Sequence, residues 1–443
     1  MSLPKVLIFG QPFNRNSGGG ITLSNLFEGW DKDKIDVANT GYLLNNLNTD
    51  ICDSYYLLGN KEHTWTFPFN KFQRIFTSGA LKINDDPGET KFSQKPGVRK
   101  KFIDHIFYPL LRYSGLFHSI SSLKLSQEFC QWLNDFNPDV LYVQVSGREA
   151  ILFAQKLHSF LKIPLIIHNM DDWPSTISTK GPFKRYWHRK IDREFKELLN
   201  KASLLMSISD DMASEYKNRY GKDFITFHNP IDIEFWKQYQ RNDYDLNKPP
   251  AILYAGRIGI GIESSLELAA KAIQQVNEEL GMSIKFILQT KKKLPWFNKY
   301  NCIIHRPFVP YSDLPKKFSE ADILILPYDF SQKSIKFIRY SMPTKLPEYM
   351  ISGTPILIFA PEITAIVKYA QKFKWAKVVT EKKSSELSNA IKFLIQNKNA
   401  RETIASNAKK IAEINHRSTL VTSRFRKIIC SLNNTFLTTT IIP

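Results

Sequence analysis

The stretch Ala251-Ile252-Leu253-Tyr254-Ala255-Gly256-Arg257-Ile258-Gly259-Ile260-Gly261 decides the reading of this chain. Residues 251–254 form a short, continuously apolar run. It lacks the alternation of a strand with one wet face, so it reads as a strand buried on both faces of a parallel sheet. The glycines after it turn the chain at the strand's carboxyl end, where open parallel sheets place their ligand sites. Arg257 would project there. A guanidinium makes paired, charge-assisted hydrogen bonds to a diphosphate; the alternative is a surface salt bridge.

The same grammar recurs along the chain. Val6–Phe9, Val140–Val143, 164–168 and 204–208 are apolar strand-like runs in the first half, and 284–289, 323–326 and 355–359 in the second. Each leads to a turn and a helical or irregular stretch, which predicts an α/β protein with two doubly wound parallel sheets. A length of 443 residues suits two such domains of about 200 residues each. Asn229-Pro230-Ile231-Asp232 and the polar segment ending in Pro249-Pro250 read as the connection. The expected division is 1–235, 236–415, and a C-terminal helix and tail over 416–443 whose last dozen residues are loose. Residues 60–97, rich in proline and glycine, read as an irregular insertion in the first domain.

Composition narrows the class. Hydrophobic residues at 43% and charged residues at 23% belong to a folded globular chain. Four widely spaced cysteines give no disulfide framework or zinc pattern and suit a reducing compartment. Lys5-Val6-Leu7-Ile8-Phe9-Gly10 is too short an apolar core for a secretory signal, and no run approaches the roughly 18 residues that span a bilayer. The expectation is a cytoplasmic protein, at most peripheral to the inner face of the membrane. The net charge of +19 suits phosphorylated substrates, anionic lipid or nucleic acid; no nucleic-acid motif accompanies it, so nucleic acid is not expected. Arg99-Lys100-Lys101-Phe102-Ile103 opens a basic, amphipathic, aromatic stretch running to about Phe117. It could lie on an anionic bilayer or be an ordinary domain helix with a basic outer face.

Three further motifs could carry chemistry. Ser17-Gly18-Gly19-Gly20-Ile21-Thr22-Leu23 comes after the first strand, with a helix expected to begin between Ile21 and Ser24. It would offer backbone N–H groups to a phosphate or sugar hydroxyl, or be a flexible turn. It is neither the dinucleotide fingerprint nor a Walker loop. His168-Asn169-Met170-Asp171-Asp172-Trp173-Pro174 also comes after a strand. His168 could bond a sugar hydroxyl or cap a strand end; Asp171 and Asp172 could bind a polyol, a cation or an arginine, or be a helix N-cap pair. Met342-Pro343-Thr344-Lys345-Leu346-Pro347-Glu348-Tyr349-Met350-Ile351-Ser352-Gly353-Thr354-Pro355 predicts a helix over 345–352 closed by Gly353 and leading into a strand. Thr344 and Lys345 would collect an anion at its start, and Glu348 could hold ribose hydroxyls or merely favour the helix dipole.

In their order along the chain, the four motifs resemble the retaining GT-B glycosyltransferases known as family 4, over most of its length. The resemblance is nearest to enzymes of bacterial surface-polysaccharide assembly. It implies two Rossmann-like domains facing a central cleft, with acceptor in the first and nucleotide-sugar donor in the second. Arg257 matches the diphosphate-binding arginine, and Glu348 the ribose-holding second glutamate of a pair. Gly18, Gly19 and Gly20 match the glycine loop near the donor phosphates, and His168 the histidine near the transferred sugar. Asp322 and Pro327 match the strand before the donor loop. The usual lysine falls at Ile262 and the first glutamate at Tyr340; Lys345 could replace the missing charge. Asn169 stands where an aspartate is frequent, and Gln289 where a glycine is usual.

The activity implied by the resemblance is that of a glycosyltransferase moving a sugar from a nucleotide diphosphate to a glycan or lipid-linked acceptor with retention. Arg257, Lys345 and the N–H groups of Thr344 and Lys345 would carry the leaving-group charge, with no cofactor or metal required. Other readings are a non-catalytic nucleotide-sugar binder and a GT-B nucleotide-sugar epimerase.

Overall fold

The computed structural model describes residues 3–40, 46–73, 75–82, 103–259 and 261–440. The polybasic start at Arg99 to Phe102, residues 74 and 83–97 of the expected insertion, and Ile260 lie outside the described residues; the described part of that insertion is not irregular, because it carries the paired strands His63–Trp65 and Gly79–Lys82.

The chain divides into two compact units, one of Met1–Phe227 with Thr422–Pro443 and one of His228–Val421. The divisions fall at 227/228 and 421/422, against 235/236 and 415/416 expected from the sequence. The strands of the first unit are β1 (Val6–Phe9), β2 (Ile35–Asn39), β3 (Ser54–Leu57), β4 (His63–Trp65), β5 (Gly79–Lys82), β6 (Ser121–Leu123), β7 (Val140–Val143), β8 (Leu165–Asn169), β9 (Leu204–Ser207) and β10 (Ile225–Thr226). Eight of them form one sheet in the order β10-β9-β8-β7-β1-β2-β3-β5. All its pairs are parallel except the edge pair β3–β5. The antiparallel pair β4–β6 stands apart from it. Strand order reverses direction at β1, whose neighbours are β7 and β2. β2 escapes the apolar pattern because Asp36 and Asn39 interrupt it, although both are buried in the sheet.

The strands of the second unit are β11 (Ala251–Ala255), β12 (Lys285–Gln289), β13 (Ile303–Arg306), β14 (Ile323–Pro327), β15 (Ile356–Phe359) and β16 (Lys377–Val379). They form a six-stranded parallel sheet ordered β13-β12-β11-β14-β15-β16. The continuous apolar runs have a direct cause. Ile252, Tyr254, Ile323, Ile325, Leu357 and Phe359 point into one core layer, while Leu253, Ala255, Leu324, Leu326, Ile356 and Ile358 point into the other. Both faces are buried, so neither parity can be polar. At the amino ends of β11 and β14, Asp322 is fully enclosed and takes Arg241 Nη2 at 2.8 Å, Ala251 N–H at 2.7 Å and Asn247 N–H at 3.0 Å.

Two local expectations are corrected. The helix after β1 runs Gly18–Leu26 rather than starting at Ile21, because Ser17 caps it by accepting the Gly20 N–H at 3.1 Å. The expected loose tail is helical: Ser418–Thr440 is one helix. Its Phe425 packs edge-on against Phe27 at 5.1 Å and Phe227 at 5.3 Å, which ties this last helix to the first unit.

Candidate functional site

The turn after β11 is held from three directions. Ala255 N–H donates to Tyr349 Oη at 2.9 Å, Lys345 Nζ donates to the Ala255 carbonyl at 2.7 Å, and Tyr254 Oη donates to the Arg257 carbonyl at 2.6 Å. Gly256 N–H reaches across to the Gln289 carbonyl of β12 at 3.1 Å. Lys345 Nζ also lies 4.1 Å from the Tyr254 ring centre, a cation–π contact. Gly256 is needed for this: a Cβ there would stand 2.2 Å from Lys345 Nζ, and its φ is +154°.

The far end of the loop is clamped by Asp329. Its N–H donates to the Gly261 carbonyl at 2.7 Å, and its carboxylate accepts the hydroxyls of Ser264 at 2.6 Å, Ser331 at 2.9 Å and Ser334 at 2.9 Å. Burial pushes that carboxyl up, but the hydroxyls and the Phe330 N–H outweigh it and draw it down to about 2. Between the clamps Arg257 is exposed, and no side-chain hydrogen bond or ion pair holds it among the described residues. The salt bridge that is its alternative reading is therefore not formed among the described residues.

The helix bearing Glu348 spans Leu346–Ile351, with Lys345 and Ser352 as its caps. Gly353 leaves it with φ +76°, so the predicted end is where the chain turns. The Thr344 carbonyl accepts Asn229 Nδ2 at 2.9 Å, which fixes the approach to the helix. Glu348 is half-buried, and its carboxylate takes no hydrogen bond among the described residues. Burial pushes its carboxyl up to about 7, opposed by the Lys345 charge; burial likewise pushes the Lys345 ammonium down to about 7, opposed by Glu348. Of the four departures from the family pattern, Ile262 packs against the core, and Tyr340 is 3% exposed. Arg257, Thr344, Lys345 and Glu348 all belong to the second unit and cluster around the β11 end.

In the first unit the geometry departs from the sequence-based expectation. His168 is 1% exposed; its Nδ1 meets Tyr142 Oη at 2.5 Å, and its Nε2 is enclosed. Burial, only partly opposed by a backbone contact with Ser207, holds the imidazole down to about 3, so it is neutral at ordinary pH. It sits within β8 as a core residue, beside Asn169, whose side-chain amide atoms are enclosed without partners among the described residues. Asp172 is the N-cap residue of the short helix Trp173–Thr176, but its carboxylate is used by Arg219 Nη1 at 2.9 Å and Nη2 at 3.0 Å, and by Tyr216 Oη at 3.0 Å. It is a structural ion pair. Gly18 is the first residue of the capped helix, and the two glycines after it are shaped by their own chain. A Cβ on Gly20 would lie 2.5 Å from the Asn14 side chain and one on Gly19 2.8 Å from Gln11 Oε1.

The roles of Asp329, Tyr254, Tyr349 and Gly256 are not read from the sequence. Ser331 as a helix cap beside Asp329 is a legible signal; the tyrosine hydroxyls are not, because a hydroxyl's backbone partner is set by the fold. Among the described residues, no group of three or more His, Cys, Asp or Glu is placed to hold a metal ion, and no helix is long and apolar enough to cross a membrane.

Two units, each built on a doubly wound, mainly parallel sheet, are the architecture of the GT-B fold. Solved structures agree. HepE of Anabaena in complex with UDP and glucose superposes with a TM-score of 0.58 at 14% identity, covering 97% of this chain and 100% of that one. Sucrose-phosphate synthase of Thermosynechococcus elongatus gives 0.59 at 10% identity, with 97% and 99% covered. The α,α-trehalose 6-phosphate synthase of Burkholderia multivorans gives 0.60 at 10% identity, with 100% and 99% covered. At such identities the likeness shows the fold. Residues 249–397 match the family described as glycosyl transferases group 1. No curated protein matches the chain.

Proposed function

We propose that the protein is a glycosyltransferase that moves a hexosyl group from a nucleotide diphosphate sugar to a glycan or lipid-linked acceptor. The observation that carries this reading is the β11 turn: an exposed Arg257, unpaired among the described residues, beside Lys345 and an unbonded Glu348 carboxylate. An arginine without a partner, fixed at a sheet's carboxyl end, is suited to a diphosphate. A half-buried carboxylate without a donor is suited to two hydroxyls of a ribose.

In this reading departure of the nucleoside diphosphate develops charge on the leaving oxygen. Arg257, Lys345 and the N–H groups of Thr344 and Lys345, which donate no other hydrogen bond among the described residues, would meet that charge without a metal ion. Gly18–Gly20 would approach the donor phosphates through the N–H groups of Gly18 and Gly19, that of Gly20 being given to Ser17. His168, neutral and enclosed, would act on the sugar through the groups around it rather than by contact. With Glu348 assigned to the ribose and Asp329 to its three hydroxyls, no carboxylate of the β11 turn is left to act as a nucleophile. Given the retention that the family resemblance implies, this favours a path on one face, the leaving phosphate taking the acceptor's proton, over a covalent glycosyl-enzyme. The basic surface supports work at the inner face of the cell membrane in polysaccharide assembly.

The test is thermal shift with a panel of UDP- and GDP-sugars, with Arg257→Ala and Glu348→Ala alongside. A donor-specific shift lost in both variants, with slow release of nucleoside diphosphate, supports the reading. A shift without release would leave a non-catalytic binder, and no shift with any donor would overturn the site. Inversion at the anomeric carbon of the product would overturn retention.

A further inference from the structure

Two neighbouring segments of the first unit keep apolar side chains in water among cations. The first is the helical run Ile103–Phe107 continued by Tyr108–Ser114. One face of it is already buried: Leu111 belongs to a small core with Trp65, the Tyr108 ring lies 5.4 Å from Trp65, and Phe107 lies 4.5 Å from Phe72. Ile106, Leu110 and Tyr113, four and three residues apart, share another face. They are 56%, 62% and 58% exposed. This helix therefore has a second apolar face that no described part of the unit covers.

The second segment adjoins it. Gly181 approaches so closely that a Cβ would stand 1.7 Å from the Tyr113 carbonyl oxygen, and Trp187 covers Gly115, where a Cβ would meet its ring at 2.4 Å. His118 Nε2 meets Ser178 Oγ at 2.8 Å, a third tie. From this junction the helix Lys184–Lys201 departs. Phe183 and Tyr186 at its start are each 55% exposed. Lys180, Lys184, Arg185, Arg189 and Lys190 lie within 178–191, which contains no aspartate or glutamate. The exposed Arg112 adds a cation from the first segment.

Single exposed apolar residues are ordinary on a protein surface; a group of them beside a run of five cations is not. We propose that this face of the first unit docks on an anionic lipid bilayer. Ile106, Leu110, Tyr113, Phe183 and Tyr186 enter the boundary between headgroups and acyl chains, and the cations face lipid phosphates. Charge complementarity selects this occupant. A second copy of the same face would bring like charges together, and the aliphatic Ile106 and Leu110 have no use against nucleic acid. The inference deepens the proposed function and rests on it only for the acceptor: a bilayer-docked first unit meets a lipid-linked sugar without extracting it.

The test is flotation of the full chain with vesicles of phosphatidylcholine alone and of phosphatidylcholine mixed with phosphatidylglycerol. Donor-induced thermal shift is measured in parallel without lipid, so that a failed surface and a failed donor site are told apart. The wild type is expected to float only with the anionic vesicles. Lys184→Glu with Arg185→Glu should lower partition by about 25-fold or more, near five-fold per lost cation. Leu110→Ser with Tyr113→Ser should lower it by about ten-fold or more. Lys291→Glu with Lys292→Glu, an equal charge change in the second unit, should lower it far less, and the surface variants should keep the donor shift. Three results would overturn the proposal: no flotation of the wild type at low salt, equal loss in the second-unit control, or a dimer by light scattering that Leu110→Ser with Tyr113→Ser dissolves.

Discussion

Lys345 donates its ammonium to the carbonyl oxygen of Ala255 at 2.7 Å, across a sequence separation of 90 residues. The lysine thus closes the strand end on which Arg257 is mounted. It can serve a donor phosphate only by leaving that carbonyl or by sharing its three protons between the two. Lys345→Met is therefore expected to lose both functions. Unfolding stability should fall by about 1.5–3 kcal/mol, the range for a hydrogen bond to a charged group, and nucleotide-sugar affinity by about ten-fold or more. Lys271→Ala, at an exposed position on the helix Glu263–Leu280, should change neither. Calorimetric titration with the preferred nucleotide sugar checks this; equal affinities would confine Lys345 to holding the turn.

The same lysine, with Glu348, sets a pH dependence. Lys345 is drawn down to about 7 and Glu348 pushed up to about 7, both chiefly by burial. Donor binding in the proposed site needs the ammonium and the carboxylate. The rate constant kcat/KM, which reports the free enzyme, should fall below pH 7 as Glu348 protonates and above it as Lys345 deprotonates. Lys345→Arg should carry the alkaline limb upward and leave the acid limb in place. For stability the signs also oppose. The raised Glu348 contribution is present at low pH and lost as pH rises through about 7; the lowered Lys345 contribution is present at high pH and lost as pH falls through about 7. Relative to the double variant Lys345→Met with Glu348→Gln, the wild type should be least stable near pH 7, measured by thermal unfolding across pH 5 to 10.

Arg257 has nothing to lose but its ligand. It is exposed and, among the described residues, unpaired, so Arg257→Ala should leave the melting temperature within about a degree or two, as exposed substitutions do. Turnover should drop by about 10²–10³-fold if the guanidinium stabilises the leaving group. Arg257→Lys should recover only part, because the paired fork is gone.

Asp329 carries the opposite signature. Its three hydroxyl bonds hold the Gly261 end of the loop, and its carboxyl lies at about 2 in the folded protein. The stabilisation is present above the ordinary aspartate value and lost as pH falls towards 2. Asp329→Asn should cost about 1–3 kcal/mol and raise KM through a loosened loop, with a smaller effect on kcat; denaturant unfolding and steady-state kinetics read the two effects separately.

In the first unit, Asp172→Asn should be far more damaging than its motif suggests. The side chain is 3% exposed and anchors Arg219 in two places. Arg219 keeps Glu215 at 2.9 Å, so the loss is that of the charge-assisted bonds to the enclosed carboxylate, about 1.5–3 kcal/mol. Tyr142→Phe should cost about 1–3 kcal/mol by orphaning His168 Nδ1, with donor affinity unchanged. Chemical denaturation of each variant gives the answer.

Much of the fold is legible in the residues. β1, β7, β11, β14 and β15 announce themselves because a strand buried on two faces must be apolar at every position. The helix Leu346–Ile351 is bracketed by Pro343 and Gly353, residues whose backbone restrictions act locally. β2 is hidden because Asp36 and Asn39 are polar yet enclosed, a burial that only neighbouring strands create. His168 can be placed at the end of a strand from its neighbours in the chain, but whether its ring meets solvent or the core depends on what packs against β8.

The sequence by itself determined two parallel-sheet units, the glycine turn after β11 and the residue types gathered near it, since periodicity and backbone preference act within a few residues. Only the tertiary structure decided which of those residues are free. It committed Asp172 to Arg219 and Lys345 to Ala255, enclosed His168 and left Arg257 in water, because ion pairing, desolvation and carbonyl contacts join residues up to 90 positions apart.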